Sequence, residues 1–239
     1  AGWQQYLTRA LINIKTNVPG ASVNIVAMSA EDAKAFPVIG RIRTERLVGY
    51  KNCFEGEPDF ESQKARTAHI LRAIMDGACP LSVLHLGTTE SPVIDSTLTG
   101  LKDHSEFATT LGSLTELRLY LRLDVDGSEL ATMLAKIPAL RKLYLGSRWE
   151  KEDFENIETF FRQATLPALQ DLELSTRLRD AGPVVFFLRQ HQQNLKQIKF
   201  SRHNEWDEWE LPVREGDATR IKFAGQRYGI KVLVAPGDF

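Results

Sequence analysis

The sequence predicts an α/β fold built by repetition, with a curved parallel sheet whose strands alternate with helices along one solenoid. Three observations carry this. A short leucine pattern, L-x-x-L-x-L, recurs five times. The stretches between its copies are long enough for a helix, and several place apolar residues at helical spacing. The 239 residues are 43% hydrophobic and 26% charged, a balance that supplies a core rather than a disordered chain.

The N-terminal part shows the plan in weak form. Tyr6, Leu7, Ala10, Leu11 and Ile14 make a helical stripe that Gly20 ends, and Ser22 to Val26 reads as a strand. Asp32 to Phe36 suits a short helix, Arg46 to Tyr50 a second strand, and Asn52 to Phe60 a loop. The pattern then becomes regular. Its copies are Leu81-Ser-Val-Leu84-His-Leu86, Leu114-Thr-Glu-Leu117-Arg-Leu119, Leu140-Arg-Lys-Leu143-Tyr-Leu145, Leu169-Gln-Asp-Leu172-Glu-Leu174 and Leu195-Lys-Gln-Ile198-Lys-Phe200. Their first positions are 33, 26, 29 and 26 residues apart, so each copy closes a unit of similar size.

Helices are predicted between the copies. Leu130, Met133, Leu134 and Ile137 lie at i, i+3, i+4 and i+7, one stripe of a helix that Asp126-Gly127-Ser128 can cap. Phe154, Ile157 and Phe161 make the next stripe, and Val184, Phe187, Leu188 and His191 the one after, with Gly182-Pro183 at its first turn. At the C-terminus Gly216 to Arg227 suggests a helix, Gly229 its stop, and Ile230 to Val234 a closing strand. One helix and one strand cannot bury their apolar faces alone; stacked units bury them together. The expected whole is one domain over 1–239, with degenerate units over 1–64, core repeats over 65–201, a capping unit over 202–239, and about seven or eight strands.

These residues resemble the leucine-rich-repeat family, in its helix-bearing type. The resemblance implies a leucine-rich-repeat solenoid with strands on the concave side and helices on the convex side. It is degenerate. The family places Asn or Cys three residues after the last motif leucine, where this chain has Thr89, Arg122, Arg148, Arg177 and His203. The unequal loops resemble the repeat region of fungal F-box-like proteins, and that resemblance implies substrate recognition for a ubiquitin ligase. No Leu-Pro stands in residues 1 to 20, where an F-box would announce itself. The start, Ala1-Gly2-Trp3, reads as trimmed or processed.

Sequence signals for chemistry are weak. The five histidines, His69, His85, His104, His191 and His203, have no metal-ligand spacing, and His69 and His191 read as half-buried packing residues. Nucleophile-elbow, P-loop and dinucleotide signatures are missing. Asp124-Val-Asp126-Gly127 opens like a calcium loop but has Glu129 where the loop needs Gly, so it reads as a turn and cap. Glu152, Asp153, Glu155 and Glu158 read as a solvated helix face. No cofactor, no metal and no enzymatic activity are expected.

Charge points the same way. Lys and Arg number 30 against 31 Asp and Glu, so nothing favours nucleic acid or an anionic membrane as partner. No apolar run approaches the roughly 18 residues of a membrane span. The two cysteines, Cys53 and Cys79, read as free thiols of a monomer in the cytoplasm or nucleus; a secreted protein with the two bridged is the alternative. The expected partner is a protein. On each strand the third, fifth and seventh motif places point away from the core. The predicted contact residues are therefore His85, Glu116, Arg118, Tyr120, Lys142, Tyr144, Asp171, Glu173 and Lys199. Trp206 and Trp209, in the acidic stretch His203 to Glu210, form a rival contact.

Overall fold

A computed structural model describes residues 23–27, 47–52, 75, 81–86, 102–121, 125–147, 154–176, 178–201 and 213–235. Eight strands form one sheet in chain order: β1 (Val23–Ala27), β2 (Leu47–Asn52), β3 (Val83–Leu86), β4 (Glu116–Leu121), β5 (Lys142–Ser147), β6 (Asp171–Ser175), β7 (Gln197–Phe200) and β8 (Lys231–Val234). Every neighbouring pair is parallel. From β3 onward each connection described carries a helix: α1 (Phe107–Leu111), α2 (Gly127–Ala135), α3 (Phe154–Gln163), α4 (Gly182–Gln190) and α5 (Glu215–Tyr228). The chain is thus an α/β protein whose parallel strands and helices alternate. A parallel pair needs a crossover connection, and the 26- to 33-residue spacing of the motifs supplies one.

The strands pair in the register of the leucine motif. Glu116 lies opposite Lys142, Lys142 opposite Asp171, Asp171 opposite Gln197, and Gln197 opposite Lys231. One backbone carbonyl per unit, at the second motif place, sets this alignment. Ser82 O accepts from Thr115 and Glu116, Thr115 O from Arg141 and Lys142, Arg141 O from Gln170 and Asp171, and Gln170 O from Lys196 and Gln197, all at 2.8 to 3.1 Å. Leucines at the first, fourth and sixth places then form three continuous buried rows, closed at the last copy by Ile198 and Phe200. Each buried Leu side chain is worth roughly 1.5–3 kcal/mol relative to exposure.

The helices obey local signals. Asp126 caps α2, its Oδ1 accepting from the Ser128 and Glu129 amides at 2.7 and 3.1 Å. Pro183 sits in the first turn of α4, where its missing N–H costs nothing. Gly229 ends α5 in the left-handed conformation at φ 72°. Adjacent helices pack in a row, α2 on α3, α3 on α4 and α4 on α5. Phe161 meets Phe160 and Phe187 edge to face, at centroid distances of 5.4 and 5.3 Å, tying α3 to α4. Gly127 opens α2 so close to α3 that an added Cβ would stand 1.8 Å from the Asn156 carbonyl oxygen.

Some expectations are corrected. The strand placed at Arg46 to Tyr50 runs on to Asn52. Helix α1, not anticipated, buries Phe107, Thr110 and Leu111 in five residues. Glu158 is buried rather than solvated, because α3 is flanked by α2 on one side and α4 on the other. One of its carboxylate oxygens accepts from Arg162 Nη2 at 3.3 Å and the other accepts no hydrogen bond. His191 is buried too, and it joins two units. Its Nε2 accepts from the Leu166 amide and its Nδ1 donates to the Phe187 carbonyl, both at 2.9 Å, while its ring stacks on Phe187 at 3.9 Å. The predicted N-terminal helices, Cys53, Cys79, His69 and the five positions where the family has Asn or Cys lie outside the described residues.

Two predictions follow from packing and burial. Burial lowers the His191 pKa, against a smaller raising effect of the Phe187 carbonyl. The unfolded chain therefore takes up that proton first, at its ordinary value near ~6.5. The stability tied to neutral His191 is present above that pH and is lost as pH falls through it toward the lower folded value. In urea unfolding, His191→Gln should lose about 1–3 kcal/mol at pH 7.5 and show a flatter profile between pH 7 and 5; an unchanged slope would refute this. Separately, Gly127→Ala should cost about 1–3 kcal/mol by overpacking α2 on α3. Gly216→Ala in α5, where an added Cβ meets nothing within 4 Å, should be neutral or slightly stabilising in the same urea unfolding.

Candidate functional site

Because alternate strand residues face opposite ways, burial of the motif leucines turns the third and fifth places toward the other face of the sheet. Parallel register then lines those places up from strand to strand. His85, Glu116, Arg118, Lys142, Tyr144, Asp171 and Glu173 gather there around one depression of about 210 Å³, over the backbone of Leu117, Leu143 and Leu172. Gln197 closes its β7 side. The residues expected at those two places on β3 to β6 are thereby brought together, apart from Val83. Lys199 joins them through Glu173.

The side chains form three local arrangements. His85 Nε2 and Glu116 Oε1 lie 2.8 Å apart across β3 and β4. The Arg118 guanidinium lies over the Tyr144 ring, its Cζ 4.0 Å from the centroid. Glu173 accepts from Lys199 Nζ at 2.8 Å and from the Ser201 hydroxyl at 2.5 Å. Burial pushes the Glu173 pKa up, but hydrogen bonds from Lys199 and Ser201, with the charges of Lys199 and Arg118, outweigh it and hold the carboxyl below its ordinary value. Glu173 is therefore a fixed anion at neutral pH. Pairing of Lys142 with Glu116 or Asp171 across the sheet does not occur. Among the described residues neither Lys142 nor Asp171 forms an ion pair, and Arg118 engages a ring rather than a carboxylate.

Tyr120 is a correction. It belongs to the seventh-place row and lies on the same face as Tyr144, but it is buried there rather than exposed, as are Gly146 and Ser175. The cause is Gly146, opposite Tyr120 in register. A Cβ there would stand 2.8 Å from the Tyr120 ring and 3.0 Å from that of Tyr144, so the missing side chain is the space into which Tyr120 folds. Tyr120 thus props the edge of the site from within. Ser201, from the same row, was expected only as a surface position and is found holding Glu173; its spacing gave no sign of that bond. Trp206 and Trp209 lie outside the described residues.

A second cavity, about 40 Å³, lies between the ends of β4 and β5 and the starts of α2 and α3, lined by Leu121, Val125, Leu130, Leu145 and Ile157 among others. It has room for a few waters at most. Among the described residues no three His, Cys, Asp or Glu side chains are grouped to hold a metal, and no helix is long and apolar enough to cross a membrane. The chain matches no family model, and no curated protein matches it.

The Arg118–Tyr144 contact can be measured. A double-mutant cycle of Arg118→Ala and Tyr144→Ala, read by chemical unfolding, should give a coupling of about 0.5–1 kcal/mol. Additive losses would mean that the guanidinium does not rest on the ring in solution.

Proposed function

We propose that this chain is a leucine-rich-repeat binding module that holds a protein partner on the open face of its sheet. The observation that carries the reading is the depression on that face, lined by seven residues that motif spacing alone assigns to it. Its chemistry suits recognition: a tyrosine and an arginine, the types enriched at binding hot spots, sit at its centre among charges of both signs. Glu173 is neutralised by Lys199 rather than poised to move a proton, which favours binding over catalysis. By resemblance to fungal F-box-like repeats, the finer proposal is substrate recognition for a ubiquitin ligase, in the cytoplasm or nucleus, by a monomeric chain. That finer step is an analogy of fold and rests on association.

The test uses the tagged chain and a triple variant, Arg118→Ala, Tyr144→Ala and Glu173→Ala, whose fold is checked by circular dichroism and melting. Partners captured from extract of the native cell should bind the variant at least tenfold more weakly, a loss of about 1.4 kcal/mol. Equal capture by both forms would overturn the assignment of the face. Ligase subunits among the partners would support the finer reading, and their consistent absence would count against it.

A further inference from the structure

The open face is nearly balanced in charge, and its charges are unevenly paired. Glu116 is engaged by His85, and Glu173 by Lys199 and Ser201. On β4 to β6, three charges form no ion pair among the described residues: Arg118 on β4, Lys142 on β5 and Asp171 on β6. The two cations are neighbours and the anion lies beyond them. From the binding reading above, on which this rests, we infer that the partner meets the face through an extended peptide segment with an acidic and a basic residue. The acidic side chain docks between Arg118 and Lys142, and the basic one docks on Asp171.

Geometry supports each half. Arg118 is in register with Tyr144, and Lys142 stands two residues before Tyr144 on the same strand. A strand spacing of about 4.8 Å and a rise of about 3.3 Å per residue put their Cα atoms roughly 8 Å apart. Two long side chains at that separation can close on one carboxylate. The Arg118 guanidinium rests over the Tyr144 ring, which restricts it before a ligand arrives, and its fork suits bidentate binding of a carboxylate. A lysine at 118 would lack that fork.

Asp171 lies one strand past Lys142, in register with it, and two strands past Arg118. Two strand spacings and two residues along the strand put the Cα atoms of Arg118 and Asp171 roughly 12 Å apart. An extended peptide and its side chains cover that distance in two to four residues. The depression of about 210 Å³ accepts side chains rather than a folded surface.

The same layout selects by repulsion. A wholly acidic peptide would set charge against Asp171. A wholly basic one would meet Arg118 and Lys142. A segment that carries both signs in the right order avoids both conflicts and gains attraction at each end, and unfavourable juxtaposition is an effective source of specificity.

The experiment is selection of phage-displayed random dodecapeptides on the immobilised full chain. Selected sequences are then remade as fluorescein-labelled peptides and titrated by anisotropy. The expected peptides carry Asp or Glu two to four residues from Lys or Arg. Arg118→Glu should weaken them at least tenfold, and replacing the acidic residue of the peptide by Arg should restore binding to that variant while abolishing it on the native chain. A merely structural role for Arg118 would give the loss without the rescue. Peptides lacking the acid–base pair, failure of the charge swap, or no selected peptide would each overturn the inference. If partner capture still depends on the triple variant in those cases, the binding face stands and only the peptide chemistry falls. If capture does not depend on it, both fall.

Discussion

The structure depends on one recurring backbone contact. In four successive units, the carbonyl at the second motif place accepts two amides from the unit that follows. That contact holds each strand in register with the last, so equivalent residues stand side by side. A slip of one residue would turn the motif leucines toward solvent and the charged places into the core, so register and burial enforce each other. The buried rows, the alignment of the helices and the grid on the open face all follow from it. The last strand obeys the same rule without the full motif, since Lys231 donates to Lys196 O and Ile230 is buried as the motif leucines are.

This dependence explains what the sequence disclosed. Leucine at three places in a six-residue motif is a strong signal, because every copy faces the same burial requirement. Helices with a full stripe, a cap or a glycine stop were equally visible, as at Asp126, Pro183 and Gly229. Helix α1 was not: Phe107 and Leu111 give a single i, i+4 pair, too short for a period to emerge. The misplaced residues share another cause. Glu158 and Tyr120 carry polar groups, and their burial is decided by neighbours. The flanking helices enclose Glu158, and the missing side chain of Gly146 admits Tyr120. Nothing within a strand or helix period encodes those neighbours.

The site was legible in position and illegible in pairing. Spacing gave the rows, and register confirmed that His85, Glu116, Arg118, Lys142, Tyr144, Asp171 and Glu173 lie together. Which charges would pair did not follow. Opposite charges directly across a sheet attract by only a fraction of a kcal/mol, and the alternatives differ by as little. Glu116 accordingly engages His85 on β3 rather than Lys142 on β5, and Glu173 engages Lys199 and Ser201. Those choices leave Lys142 and Asp171 without an ion pair among the described residues, while Arg118 lies over Tyr144 and its charge acts on Glu173.

His191 shows how irregular units are joined where the leucine pattern offers nothing. The turn before β6 presents the Leu166 amide to the interior, where a backbone donor needs a partner. A side chain from the next unit, at the end of α4, supplies the acceptor, and Phe187 beneath it fixes the ring. The device works only with neutral imidazole, so it ties the joint between two units to a protonation state. The open face bears no such duty. Its residues contribute little to the core, so their identities are free to answer to a partner. The fold could therefore be read from repetition, whereas function has to be read from the few positions where repetition imposes nothing.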